Sequence, residues 1–264
     1  MDDAGAPVMH TASITEHLTR TPRAANQDGL TGPAAEAGNS VPHGERNRKR
    51  LAVSLSVAAG YIDGFGLLVL GTYVSFMSGN TTAAGVRAGQ ADLSLAVSPA
   101  VAIASFLAGS FGGNVVAHSA LRQVHRVLFG VVAALLAIAL PLGNSGMFNN
   151  LTIAALSFGM GMVNPALSQI GSEAVSLTFV TGTLSRIGNH LALALTKAPV
   201  PASEGPWDTH LYRARIGAQL WAAFICGALL SGIVVSFASS LALVPPIVLM
   251  VVLALSSRAE PSAR

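Results

Sequence analysis

Charge is scarce in this chain, and cysteine scarcer. Asp, Glu, Lys and Arg together make up 10% of 264 residues, against roughly 25% in soluble domains. Apolar residues reach 52%. A chain so poor in charge and so rich in apolar groups reads as an integral membrane protein, with the lipid bilayer as its first partner. The single cysteine, Cys226, excludes an intrachain disulfide framework; it lies in an apolar run and reads as a small core residue. The net charge of +3 is too small to call for nucleic acid. No glycine-rich nucleotide loop occurs, and no Cys/His set has metal-ligand spacing. No motif joins a nucleophile to a His and an acid. We therefore expect neither an enzyme nor a cofactor nor a metal.

Apolar runs of membrane-spanning character take the place of those motifs. Residues 1–50 are rich in Ala, Gly, Pro, Thr and Asn; with no apolar h-region they read as a disordered cytoplasmic tail, not a signal peptide. A polytopic domain over 51–258 follows, with 259–264 a short cytoplasmic end. The first run, about Leu51 to Leu70, approaches the roughly 20 residues that a helix needs to cross hydrocarbon. Further runs are Leu95–Ala117, Val127–Leu142, Leu151–Ile170, Ile216–Phe237 and Leu241–Leu255. Pro141, Asn164-Pro165 and Pro245-Pro246 interrupt or close three of them. Two weaker segments, Gly71–Gly89 and Ala174–Leu195, read either as further crossings or as partly inserted, re-entrant pieces. Short cytoplasmic loops collect Lys and Arg. Six crossings with both termini cytoplasmic put Arg46–Arg50, Arg122, Arg126, Lys197, Arg213, Arg215 and Arg258 on one side. The expectation is an all-α protein of the bacterial inner membrane.

The spacing holds a repeat. Gly60-Tyr61-Ile62-Asp63-Gly64 lies over Gly161-Met162-Val163-Asn164-Pro165. Ser78-Gly79-Asn80 then falls near Thr181-Gly182-Thr183, Arg87 near His190, and Phe106-x-x-Gly109 on Phe224-x-x-Gly227. Halves of about 51–146 and 147–256, with three crossings each, require the second half to be inverted. Inverted repeats whose broken elements meet at mid-membrane are a recurrent plan of secondary transporters; a duplication that only built a stable bundle is the alternative.

Together, Gly60–Gly64, Phe76-Met77-Ser78-Gly79-Asn80-Thr81, Gly159–Asn164 and Val180-Thr181-Gly182-Thr183-Leu184 resemble the YoaK family of bacterial inner-membrane proteins, over roughly residues 51–256. That family commonly has Thr where this chain has Ser78, and often Gln where it has Val163. The resemblance implies a membrane class without implying a chemistry.

Asp63 is the sharpest candidate residue, because a carboxylate inside a span costs about 2.5–3.5 kcal/mol on insertion scales. It serves either proton or cation coupling or a structural hydrogen bond, with Arg87, Arg186 or His190 as possible charge partners. Ser78, Asn80, Thr81, Thr82, Asn164, Thr181 and Thr183 offer short polar contacts to a small solute or ion, beside the turn-permitting Gly79 and Gly182. The same hydroxyls can instead bond backbone carbonyls within helices. Arg87, near Asp92, reads as snorkelling to the headgroups. Asn164-Pro165-Ala166 occurs once and reads as a kink, not a water-channel signature. Two functions stay open: a small-solute or ion transporter with a mid-membrane polar site, or a non-transporting scaffold acting through its tail and the Pro199–Tyr212 loop; either is open to assembly as a homo-oligomer.

Overall fold

The computed structural model describes residues 41–119, 121, 123–142, 149–167, 169–170, 173–174 and 180–257. The expected tail up to residue 40, Arg122, the turn at 143–148 and Arg258 lie outside the described residues. The first helix, α1 (His43–Phe65), starts well before the expected span. Residues 43–50 are helical, which shortens the tail of 1–50 expected from composition. Pro42 precedes the first turn, where its missing N–H is no loss, and Glu45 in that turn suits the helix dipole. Helix α1 runs on through a π-helical turn, Gly66–Leu70, and stops at Gly71 with φ +66°, a left-handed conformation that glycine adopts freely.

Next come α2 (Met77–Gly89) and α3 (Leu93–Ala117). The α3 start is capped by the Asp92 carboxylate, which accepts from the Leu95 amide at 3.2 Å. Then follow α4 (Val124–Leu142) and α5 (Asn149–Val163). Helix α5 gives way to a 3-10 turn at Asn164–Leu167, because Pro165 lacks a donor and disfavours the helical region for the residue before it. A two-residue antiparallel pairing, β1 (Gln169–Ile170) with β2 (Glu173–Ala174), comes next. The chain ends with α6 (Val180–Leu195), α7 (His210–Ala238, capped by Thr209), a 3-10 turn at Ser239–Leu241 and α8 (Val244–Ser256). Pro245-Pro246 therefore stand at the start of α8 and not inside a span from Leu241, since the first helical turn tolerates proline.

Among the described residues, four helices are long and apolar enough to cross a membrane: α1 with its π-turn, α3, α4 and α7. Of the six expected spans, the two carried by α5 and α8 are shorter, at 15 and 13 residues. The two polar segments form helices α2 and α6 of 13 and 16 residues, about 20 and 24 Å long at 1.5 Å per residue.

Two helix pairs make the main packing. Helix α1 lies along α7, and α3 along α5; α4 packs on α8, α2 on α3, and α6 on α7. Glycine sets the closest approaches. A Cβ at Gly60 would overlap the Phe224 carbonyl, and one at Gly227 the Val57 carbonyl. In the other pair, a Cβ at Gly161 would overlap the Phe106 carbonyl, and one at Gly109 the Phe158 carbonyl. Both pairs run parallel, since Gly64 then meets Ser231 and Gly113 meets Met162 further along. Small residues at such crossings let backbones touch, the commonest way for helices to associate where water supplies no hydrophobic drive.

Between the pairs lies a core of Leu55, Ile62, Phe129, Val132, Ile153, Leu156 and Met250, all nearly inaccessible. The outer faces are apolar too: Phe111 is 72% and Phe237 87% exposed. Cys226, expected in the core, lies on the exposed side of α7. Beyond its first turns helix α7 is apolar almost all round, so that part of its sequence carries little signal for which face turns inward.

Candidate functional site

Asp63 sits in the last turns of α1 and is 4% exposed. Its carboxylate faces the chain that leaves the π-turn: Oδ1 accepts from the Val74 amide at 2.9 Å and the Ser75 amide at 2.7 Å, and Oδ2 accepts from the Ser75 hydroxyl at 2.6 Å. The Thr72 amide returns to the Gly66 carbonyl at 3.2 Å. Helix α2 is tied to the same loop, because the Asn80 side-chain amide donates to the Tyr73 carbonyl at 2.7 Å. Tyr73 and Phe76 meet edge to face, and the Phe76 ring covers Gly79. A helix broken inside an apolar bundle leaves amides without partners; Asp63 and Asn80 supply acceptor and donor for this break. Among the described residues, none of Asp63's hydrogen bonds comes from Arg87, Arg186 or His190.

The other expected residues divide between surface and packing. The Thr81 and Thr82 hydroxyls donate to the Met77 and Ser78 carbonyls one turn back, a local role open to any helical threonine. Ser78 and Thr82 nonetheless line an open groove of about 660 Å³ along α2, with Phe76, Gly79, Val86, Arg87 and Gln90. Arg87 ends the groove near Asp92. On α6, Thr183 packs beside Gly217 of α7, while Thr181 is exposed. Asn164, matched to Asp63 in the expected repeat, opens the 3-10 turn; its buried Oδ1 finds no hydrogen-bond partner among the described residues. Because α2 rests on α3 and α6 on α7, the two polar segments belong to different helix pairs.

A second polar centre escaped the sequence reading. From the first turn of α7, the Arg213 guanidinium grips the carboxylate of Asp208 in the preceding loop with Nε–Oδ1 and Nη2–Oδ2 bonds of 2.8 Å each, and donates again to the Pro201 carbonyl at 3.2 Å. The Glu204 amide adds a bond to Asp208 Oδ2 at 3.1 Å. Arg213's hydrogen bonds hold the Asp208 carboxyl below the usual carboxylate range. Beside them, His190 of α6 and His210 of α7 meet Nδ1 to Nδ1 at 3.1 Å, both buried. The only hint in the sequence was the polar insertion around Pro199–Tyr212; nothing in its spacing joined it to His190. Among the described residues no group of three or more His, Cys, Asp or Glu stands together to hold a metal.

Residues 51–256 match the profile of a family described as protein of unknown function (DUF1275). The chain belongs to that family. A UPF0700 transmembrane protein from Rhizobium meliloti (strain 1021) is 34% identical over 198 residues, covering 74% of this chain and 80% of the relative. No solved structure matches the chain. The DUF1275 region takes in the Asp63 break, the Asp208–Arg213 pair and the histidine contact. It leaves out residues 43–50, the early turns of α1.

Proposed function

We propose that this DUF1275 protein is a transporter of a small polar solute or ion in the bacterial inner membrane, built from two inverted halves with α2 and α6 only partly inserted. The observation that carries the reading is the break after Asp63, where an apolar helix stops and a buried carboxylate secures the loop and the short polar helix behind it. Broken elements of this kind are kept in membranes where they line a cavity or a transport path.

The internal two-fold draws support from exchange of contacts. Gly60 on Phe224 and Gly161 on Phe106 are one contact seen twice; so are Gly227 on Val57 and Gly109 on Phe158. The π-turn that ends α1 touches α5, and β1, just past the end of α5, touches α1. The α1 and α7 starts share one end of the bundle, where Lys49 lies near Arg215; with the positive-inside rule this favours cytoplasmic termini. The narrower YoaK kinship rests on the motifs quoted above.

In this reading Asp63 positions the break, and the solute meets the α2 groove of Ser78, Thr82, Arg87 and Gln90. Arg87 gives that groove the character of a small-anion site. The test is uptake of radiolabelled small carboxylates and inorganic anions into proteoliposomes. We expect uptake that Arg87→Gln and Thr82→Val reduce about tenfold or more while both variants keep the wild-type melting temperature. Wild-type vesicles no more permeable than empty ones, across that panel and a cation panel, would reject transport.

The ordered loop before α7 favours the scaffold as a second reading, since Asp208 and Arg213 hold it in one shape. Inactive vesicles together with a partner that is lost on Asp208→Ala substitution would support it.

A further inference from the structure

We infer that the His190–His210 contact is a proton-operated latch that holds α6 against α7 and releases it at mildly acidic pH. Among the described residues of α6, His190 alone is buried; the rest of the helix is half-buried or exposed. Helix α6 packs chiefly on α7, through Ile187 and Thr183 at Gly217 and through this histidine pair. At 3.1 Å between Nδ1 atoms, one ring donates and the other accepts, an arrangement open to a neutral pair or a singly protonated one. A second proton turns both nitrogens into donors. The hydrogen bond is then lost, and two cations face each other in a buried site.

The charges round the pair are mixed. The Asp208 charge reaches His190, and both Asp208 oxygens are held by Arg213, itself a cation. Glu204 of the loop, Tyr212 of α7 and Glu45 of α1 lie round the same centre, with Lys49 and Arg215 adding positive charge beyond Glu45. Arg186 stands one turn earlier on α6. Histidine is in general the side chain whose charge changes between about pH 5 and 8. The latch stands whatever the protein carries, because it concerns only how α6 is attached.

The test uses the full chain with Cys226→Ala in lipid nanodiscs, spin-labelled at the exposed positions Leu195→Cys on α6 and Ala218→Cys on α7. Between pH 7.5 and 5.5 we expect a second distance population, displaced by about one helical turn (~5 Å). Its ratio to the first should rise by up to about tenfold per pH unit, as linkage to one proton requires. His190→Gln and His210→Gln each keep a hydrogen-bonding side chain that does not titrate, and either should stay closed across the range. A wild-type distance distribution unchanged over this range overturns the proposal without reference to any variant. Opening of equal size in a folded glutamine variant also overturns it.

Discussion

Two places in this molecule hold a polar helix against an apolar bundle, and they do so with different chemistry. After α1, the carboxylate of Asp63 accepts from two amides and a hydroxyl of the adjoining loop, so the clasp is local, between residues 11 and 12 apart. At α6, the clasp is an imidazole pair spanning 20 residues, and next to it lies an ion pair that shapes the loop. In the first, acceptors meet donors that carry no charge. In the second, every principal member is ionisable. The contrast sets an anchor between near neighbours in the chain against one that joins two helices.

Removing the ion pair should have the largest effect. Asp208→Ala strands the Arg213 guanidinium in a buried site, and a loss of about 3 kcal/mol or more is expected, read as a lower melting temperature in micelles. The Asp208 carboxyl is held below its unfolded value. Its contribution is therefore fully present above the unfolded pKa of about 3.9 and disappears as pH falls through the lower folded value. A melting temperature that drops below about pH 4 in wild type, and does so no more steeply than in Asp208→Ala, would remove this distinction from the histidine pair.

Asp63→Ala should cost about 2–3 kcal/mol, because three donors at 2.6–2.9 Å lose their acceptor. Asp63→Asn, which keeps one carbonyl oxygen, should lose less. Protease nicking between residues 71 and 76 in Asp63→Ala would localise the damage to the break; nicking before α7 instead would contradict a local clasp.

The glycine crossings sharpen the comparison, since each helix pair makes the same kind of contact. Gly60→Ala and Gly161→Ala each push a methyl into a backbone carbonyl of the neighbouring helix. Similar losses of about 1–3 kcal/mol are expected. A large effect at one position and none at the other would break the equivalence of the two contacts. Smallest is Tyr61→Phe, which removes the bond from the Tyr61 hydroxyl to the Ala242 carbonyl at 2.7 Å. A loss of about 1 kcal/mol is expected, with no change in either clasp.

Much of this was legible in the chain before folding. Membrane class followed from the scarcity of charge, because composition alone sets which solvent a chain can tolerate. The break at Asn164-Pro165 was legible because proline acts on its own backbone, and the first run could be ended near Leu70 where its apolar character stops. The matched motifs brought Gly60, Phe106, Gly161 and Phe224 to notice, since close helix approach demands small residues at fixed spacing. Tertiary structure alone decided the rest. The acceptors of Asp63 could have turned towards Arg87 or Arg186; only the path of the loop brought Val74 and Ser75 to them. His190 and His210 are too far apart in the chain for any periodicity to join them, and their contact exists because α6 packs on the start of α7. Which face of α7 turns outward, carrying Cys226 with it, was likewise unreadable, because an apolar helix surrounded by lipid and protein presents the same composition to both.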